Sequence, residues 1–228
     1  MSIAKGKLSV VSTPIGNLDD ITFRAVQVLK DCDYILCEDT RITKRLLTHY
    51  AISNQLIRYD AHVGVSLHEK VVADIESGKQ ISLVSDAGTP SISDPGSLLV
   101  QEVFNNNLHV EVIPGPSALT AALAIAPVQS ATFTFLGFIP QKKGRKTFIE
   151  NLSTYAHPVV FYESTHRIVK LLEQLDTVYK DNTVCLCREL TKIYEEVLVG
   201  TSAEVLEVLT ADTKKQKGEF VVIFTNKT

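Results

Sequence analysis

Four short apolar runs, each closed by a loop of glycine, proline and acidic residues, constrain this chain more than any other feature. They lie at 8–11, 34–37, 81–85 and 110–113. The segments after the first two carry apolar residues at helical spacing: Ile21, Ala25, Val28 and Leu29, then Ile42, Leu46, Leu47 and Tyr50. Strand and helix alternating in this way predict a mostly parallel sheet covered by helices. Asp20 is the expected cap of the first helix. Further helices are expected at 66–77 and 97–104, and a weaker strand at 56–59.

The second half has a different rhythm. Runs at 133–138, 158–162, 184–188, 194–199 and 220–224 read as strands, with helices at 165–175 and 203–209. Some strands follow one another too closely for a helical crossover, so a mixed α+β sheet is expected. Pro114, Gly115 and Pro116 interrupt any regular element. Two α/β domains, 1–114 and 115–228, are the expected organisation.

Composition narrows the function classes. Hydrophobic residues make up 45% of the 228 and charged residues 21%, which supports a sizeable core and excludes wholesale disorder. A net charge of −3 excludes a general basic coat for nucleic acid and leaves room only for a local patch. No apolar run reaches the ~18 residues of a membrane span, and the N-terminus has no secretory pattern. No membrane partner and a cytoplasmic location are the expectations. Cys32, Cys37, Cys185 and Cys187 lack C-x2-C spacing and sit among apolar neighbours. Buried thiols and no metal site are expected.

In an open parallel sheet, ligands bind beyond the carboxyl ends of the strands. Four strand-end loops fall on that edge: Thr13-Pro14-Ile15-Gly16-Asn17, Glu38-Asp39-Thr40-Arg41, the run from Ser85 to Gly96, and Pro114-Gly115-Pro116-Ser117-Ala118. Gly88, Gly96 and Gly115 permit close approach of a ligand to the backbone, while Pro90, Pro95, Pro114 and Pro116 stiffen the loops. Asp86 can accept hydrogen bonds from an amine or a sugar hydroxyl. Ser117 opens a helix whose free N–H groups suit a carboxylate. Neither GxxxxGK[ST] nor GxGxxG occurs. The set suits a zwitterionic, adenosine-like ligand better than a polyphosphate.

Eight ordered blocks extend the pattern over nearly the whole chain: VSTPIGNLDDIT from Val11, EDTR from Glu38, SDAGTPSISDPG from Ser85, IPGPSALTAAL from Ile113, GFIPQKKGR from Gly137, FYESTHRI from Phe161, CRELTKIYEE from Cys187 and KGEFVVIF from Lys217. Together they resemble the ribosomal RNA small subunit methyltransferase I family of the tetrapyrrole-methylase superfamily. The resemblance implies two α/β domains, a mostly parallel N-terminal sheet and a mixed C-terminal sheet, with the cofactor in the interdomain cleft. It implies methyl transfer from S-adenosyl-L-methionine to the ribose 2′-hydroxyl of a cytidine in the decoding region of 16S ribosomal RNA, by a homodimer acting on the small ribosomal subunit. Cofactor contacts carry over to Pro14, Asp86, Gly88, Thr89, Ser117 and Ala118, and from the second domain to Tyr162, Glu189 and Gly218. Two departures stand out. The polar stretch that relatives carry after the third strand survives only in part, around His62, and many relatives continue beyond the final KGEFVVIF block.

Displacement at a sulfonium needs alignment and a nucleophilic oxygen, so a base or a cation near the ribose hydroxyl would help. Glu38, Arg41 and Glu163 are the catalytic candidates. Each has a plainer alternative. Glu38 or Asp39 could cap the helix starting near Thr40, Arg41 could pair with either, and Glu163 could form a surface pair with Arg167 one helical turn on. His166 reads as a surface histidine. Lys142, Lys143, Arg145 and Lys146 form the candidate RNA patch, on a loop that Gly144 makes mobile. The cluster Lys214, Lys215 and Lys217 reads as solvated charge. A tetrapyrrole-precursor methyltransferase and a non-catalytic ribosomal-particle binder are the alternative functions.

Overall fold

The computed structural model of the chain describes residues 6–60, 64–128 and 131–226. The chain forms two compact units that divide between Ser117 and Ala118.

The first unit alternates β1 (Lys7–Val11), α1 (Phe23–Asp31), β2 (Tyr34–Cys37), α2 (Thr40–His49), β3 (Leu56–Arg58), α3 (Val65–Glu76), β4 (Gln80–Leu83), α4 (Ser97–Asn105) and β5 (His109–Ile113). All strand pairs are parallel, in the order β3-β2-β4-β1-β5. Side chains alternate between sheet faces, and both faces are apolar. On β2, Tyr34 and Leu36 enter the core under α3 and α4, while Ile35 and Cys37 enter the core under α1. This explains why strands buried on both faces read as continuous apolar runs.

The second unit contains α5 (Ala118–Ile125), β6 (Thr134–Phe138), α6 (Arg145–Glu150), β7 (Val159–Ser164), α7 (Ile168–Val178), β8 (Thr183–Arg188), β9 (Glu196–Thr201), α8 (Ser202–Ala211) and β10 (Glu219–Thr225). Its sheet runs β6-β7-β10-β8-β9, with β6 and β7 parallel and the other pairs antiparallel. Phe161, Leu186, Val222 and Phe224 pack against Leu171, Leu172 and Leu175 of α7 and Leu209 of α8. The expected mixed sheet is therefore present.

Local expectations fail in three places. The cap of α1 is Thr22, whose side chain accepts from Ala25 N, and Asp20 lies in a short 3-10 turn before it. The helix expected at 165–175 is displaced to α7, because residues 165–167 turn the chain away from β7. The segment after Gly144 is helical, as α6. His62 lies outside the described residues. Among the described residues, no helix is long and apolar enough to cross a membrane, and no group of His, Cys, Asp and Glu could hold a metal. All four cysteines are buried and free.

Candidate functional site

The parallel strands of the first unit bring the loops after β1, β2, β4 and β5 to one sheet edge. β1 and β4 are neighbours, yet the chain leaves them in opposite directions. β1 continues toward β2 through α1, which packs Ala25 and Leu29 on one face. β4 continues toward β5 through α4, which packs Leu99 and Val103 on the other. Open parallel sheets bind ligands at strand ends where neighbouring strands are continued on opposite faces.

The loops after β1 and β4 are fastened to each other. Thr13 and Gly88 exchange backbone hydrogen bonds of 2.9 and 3.0 Å. Thr13 Oγ1 donates to the Ser85 carbonyl at 3.2 Å. Thr89 Oγ1 donates to the Pro116 carbonyl at 3.2 Å, which makes Ser12 Oγ the donor in the 2.9 Å Ser12–Thr89 hydrogen bond. Gly88 has φ +79°, and a Cβ there would stand 3.3 Å from Ile15 Cγ2. Only glycine fits without strain. Pro14 is buried within this network, and Ser117 follows Pro116 directly before α5, which opens at Ala118.

The loop after β2 joins through Asp86, whose Oδ1 accepts from Asp39 N at 3.0 Å. Asp39 caps α2 by accepting from Arg41 N at 2.8 Å, and its carboxylate pairs with the Arg41 guanidinium at 2.6 Å. Both plainer alternatives for Asp39 and Arg41 therefore hold. Arg41 keeps the Asp39 carboxyl well below the usual carboxylate range, through its side chain first and its backbone N–H second. Its neighbours behave oppositely. Partial burial raises the Glu38 carboxyl, and the charges of Asp86 and Asp94 raise it further. Asp94 is raised by burial and then by Asp86, and Asp86 chiefly by burial. Three carboxyls with upward-shifted titration at one sheet edge favour a ligand that brings positive charge.

The second unit gathers a separate constellation where the start of β10 meets the ends of β7 and β8. Glu219 pairs with Ser164 and Phe220 with Arg188. Thr165 Oγ1 donates to the Gly218 carbonyl at 2.7 Å and accepts from Gly218 N at 2.8 Å. Gly218 has φ +121°, and a Cβ there would fall 2.6 Å from Glu189 Cγ. Glu189 itself has φ +50°, and its Oε1 accepts from Glu219 N and from Lys192 Nζ, each at 2.9 Å. Burial works to raise the Glu189 carboxyl, but Lys192 and the Glu219 N–H together bring it below its ordinary value. Tyr162 makes edge contacts with Phe135 and Phe138. Sequence reading missed Thr165. Its position directly after FYES, paired with a glycine far along the chain, leaves no local signal.

Burial takes two sequence candidates out of their expected roles. Glu163 has a wholly buried carboxylate held by Arg145 and Arg167, so it is removed from any substrate hydroxyl. It lies on β7, so its pair with Arg167 is neither helical nor on the surface. Arg145 is buried as well, with its guanidinium on Glu163 and Gln174, and does not present itself to a phosphate. Lys142, Lys143 and Lys146 are exposed. Lys146 stands 3.7 Å from Glu150 in a solvent-exposed pair.

A family profile described as tetrapyrrole (corrin/porphyrin) methylases matches residues 7–206. A protein of Xylella fastidiosa named ribosomal RNA small subunit methyltransferase I is 43% identical over 96% of this chain and 81% of its own length. Proteins of the same name are 38% identical in Thermotoga maritima, over 97% of this chain and 99% of that one, and 40% identical in Bacillus subtilis, over 96% and 74%. Among solved structures, diphthine synthase superposes with a TM-score of 0.75 at 13% identity, covering 98% of this chain and 90% of that one. A cobalt precorrin-4 methyltransferase superposes at 0.67 and 17% identity, covering 95% and 94%. These two likenesses speak for the fold alone. Profile and near-full-length relatives together show that the chain belongs to the ribosomal RNA small subunit methyltransferase I family of the tetrapyrrole methylases.

Proposed function

We propose that this chain transfers a methyl group from S-adenosyl-L-methionine to the ribose 2′-hydroxyl of a cytidine in the decoding region of 16S ribosomal RNA. The observation that carries the reading is the near-full-length similarity to relatives named for methylating small-subunit ribosomal RNA. The first unit fits the cofactor. The ends of β1 and β4 form the switch point, Gly88 leaves the backbone bare, and Glu38, Asp86 and Asp94 suit a cation.

When bound, S-adenosylmethionine supplies a methyl group activated on a sulfonium. Asp86 and the backbone around Gly88 and Thr89 hold its polar groups, with Pro14 stiffening the floor. Ser117 and the first N–H groups of α5, from Ala118, suit its carboxylate. Tyr162, Glu189 and Gly218 are further proposed contacts. Glu38 would accept the proton of the ribose 2′-hydroxyl. An upward-shifted carboxyl is the more basic acceptor. Arg41, fixed by Asp39, offers a positioned charge for the developing alkoxide. Lys142, Lys143 and Lys146 meet RNA phosphates. A homodimer working in the cytoplasm on the small subunit completes the reading.

Titration calorimetry with S-adenosylmethionine tests the cofactor half. Binding by the unaltered chain, weakened at least tenfold by Asp86→Asn, is expected. Equal affinity in both would discard the assignment to these strand ends.

A further inference from the structure

Among the described residues of the second unit, Glu163 has the most deeply buried acidic or basic side chain, and both of its partners reach the lysine-bearing segment. Oε2 accepts from Arg145 Nη1 at 3.1 Å, and Arg145 is the first residue of α6, directly after Gly144. Oε1 pairs with Arg167 Nε at 2.8 Å. Arg167 Nη1 donates to the Ile139 carbonyl at 3.2 Å. Arg145 is also bound from α7, where Gln174 Oε1 accepts from its Nε at 2.9 Å. One carboxylate therefore holds both ends of residues 139–145, with Lys142 and Lys143 exposed between them.

The arrangement is poor as a stabilising device. Two guanidinium groups face one carboxylate, and Arg145 Nη2 is buried without a partner among the described residues. Buried ion groups of this kind seldom exceed the stability of an apolar replacement. What they supply is geometry, since a guanidinium fork fixes direction as well as distance. Ordering a basic loop before it meets RNA removes entropy that binding would otherwise lose.

We propose that Glu163 is a positioning residue that, through Arg145 and Arg167, holds the lysine loop 139–145 in the conformation in which it receives ribosomal RNA. The inference rests on the RNA-methylating reading and assigns to Glu163 a role other than proton transfer.

The test compares the full chain with Glu163→Gln, and with Arg167→Gln as the milder variant should the first fail to fold. Amide hydrogen exchange at Arg145 and Phe148, whose N–H groups donate to the Lys142 and Gly144 carbonyls, is expected to quicken at least tenfold, with β1, β2 and β4 unchanged. Affinity for small ribosomal subunits is expected to fall at least fivefold while S-adenosylmethionine affinity stays within twofold. Unchanged loop exchange overturns the proposal. So does undiminished RNA affinity in a loosened loop, or a parallel fall in cofactor affinity. If the unaltered chain binds no small subunit, the functional reading falls, and the exchange comparison still decides whether the brace orders the loop.

Discussion

Thr89 Oγ1 lies 2.9 Å from Ser12 Oγ and donates to the carbonyl of Pro116, so one hydroxyl connects three strand-end loops. Thr89→Val keeps the shape and removes both bonds. A loss of about 1–2 kcal/mol in stability is expected, because the Ser12 hydroxyl and Pro116 carbonyl lose a partner. S-adenosylmethionine affinity should fall about tenfold, roughly the 1.4 kcal/mol of one such interaction. Thr89→Ser should restore both. Denaturant unfolding and calorimetry on the three proteins decide it.

Gly218→Ala places a Cβ 2.6 Å from Glu189 Cγ on a backbone with φ +121°. A destabilisation of about 1–3 kcal/mol is expected from the backbone alone. Thr165→Val, which removes the reciprocal bonds to Gly218, should have a smaller effect of about 1 kcal/mol. Equal melting temperatures for all three proteins would contradict the packing described for this corner.

The raised carboxyls give pH dependence with a defined sign. The native state holds a proton on Glu38 more tightly than the unfolded chain does. Its ionisation therefore opposes folding above the raised native value, and that opposition disappears below the ordinary carboxylate range. Glu38→Gln should melt slightly higher than the parent at neutral pH and equal to it in acid. Cofactor affinity should weaken as pH falls through the raised values of Glu38, Asp86 and Asp94, with protons released on binding in that window. Calorimetry in buffers of different ionisation enthalpy reads that release directly.

Lys142→Ala and Lys143→Ala should each weaken RNA binding across sequences and lower the salt slope of log affinity by about 1. Cofactor affinity should be untouched. A filter-binding series over salt concentration measures the slope, and an unchanged slope in the double variant removes this loop from the RNA interface.

The sequence disclosed most of the architecture, for a physical reason. Strands buried on both faces, such as Tyr34-Ile35-Leu36-Cys37, must be apolar throughout, and the loops after them must turn tightly, so residue type and position coincide. The loop set at the sheet edge was legible for the same reason. What escaped were relationships between residues distant in sequence. Lys-Lys-Gly-Arg-Lys reads as one basic run, yet Arg145 turns inward to Glu163 while its neighbours stay in solvent. Glu163 and Arg167 have helical spacing but sit on a strand and the turn beyond it. Thr165 owes its place to Gly218, and no spacing rule connects them. That the connections after β1 and β4 run to opposite sides depends on strand order, which periodicity does not encode.

Nucleoside mass spectrometry decides whether the chain methylates ribose in small-subunit RNA. Small ribosomal subunits from a strain lacking the mark, incubated with this chain and methyl-labelled S-adenosylmethionine, should yield labelled 2′-O-methylcytidine mapping to the decoding region. Absence of ribose-linked label on the RNA, or label appearing instead on a corrin precursor supplied in parallel, would contradict it.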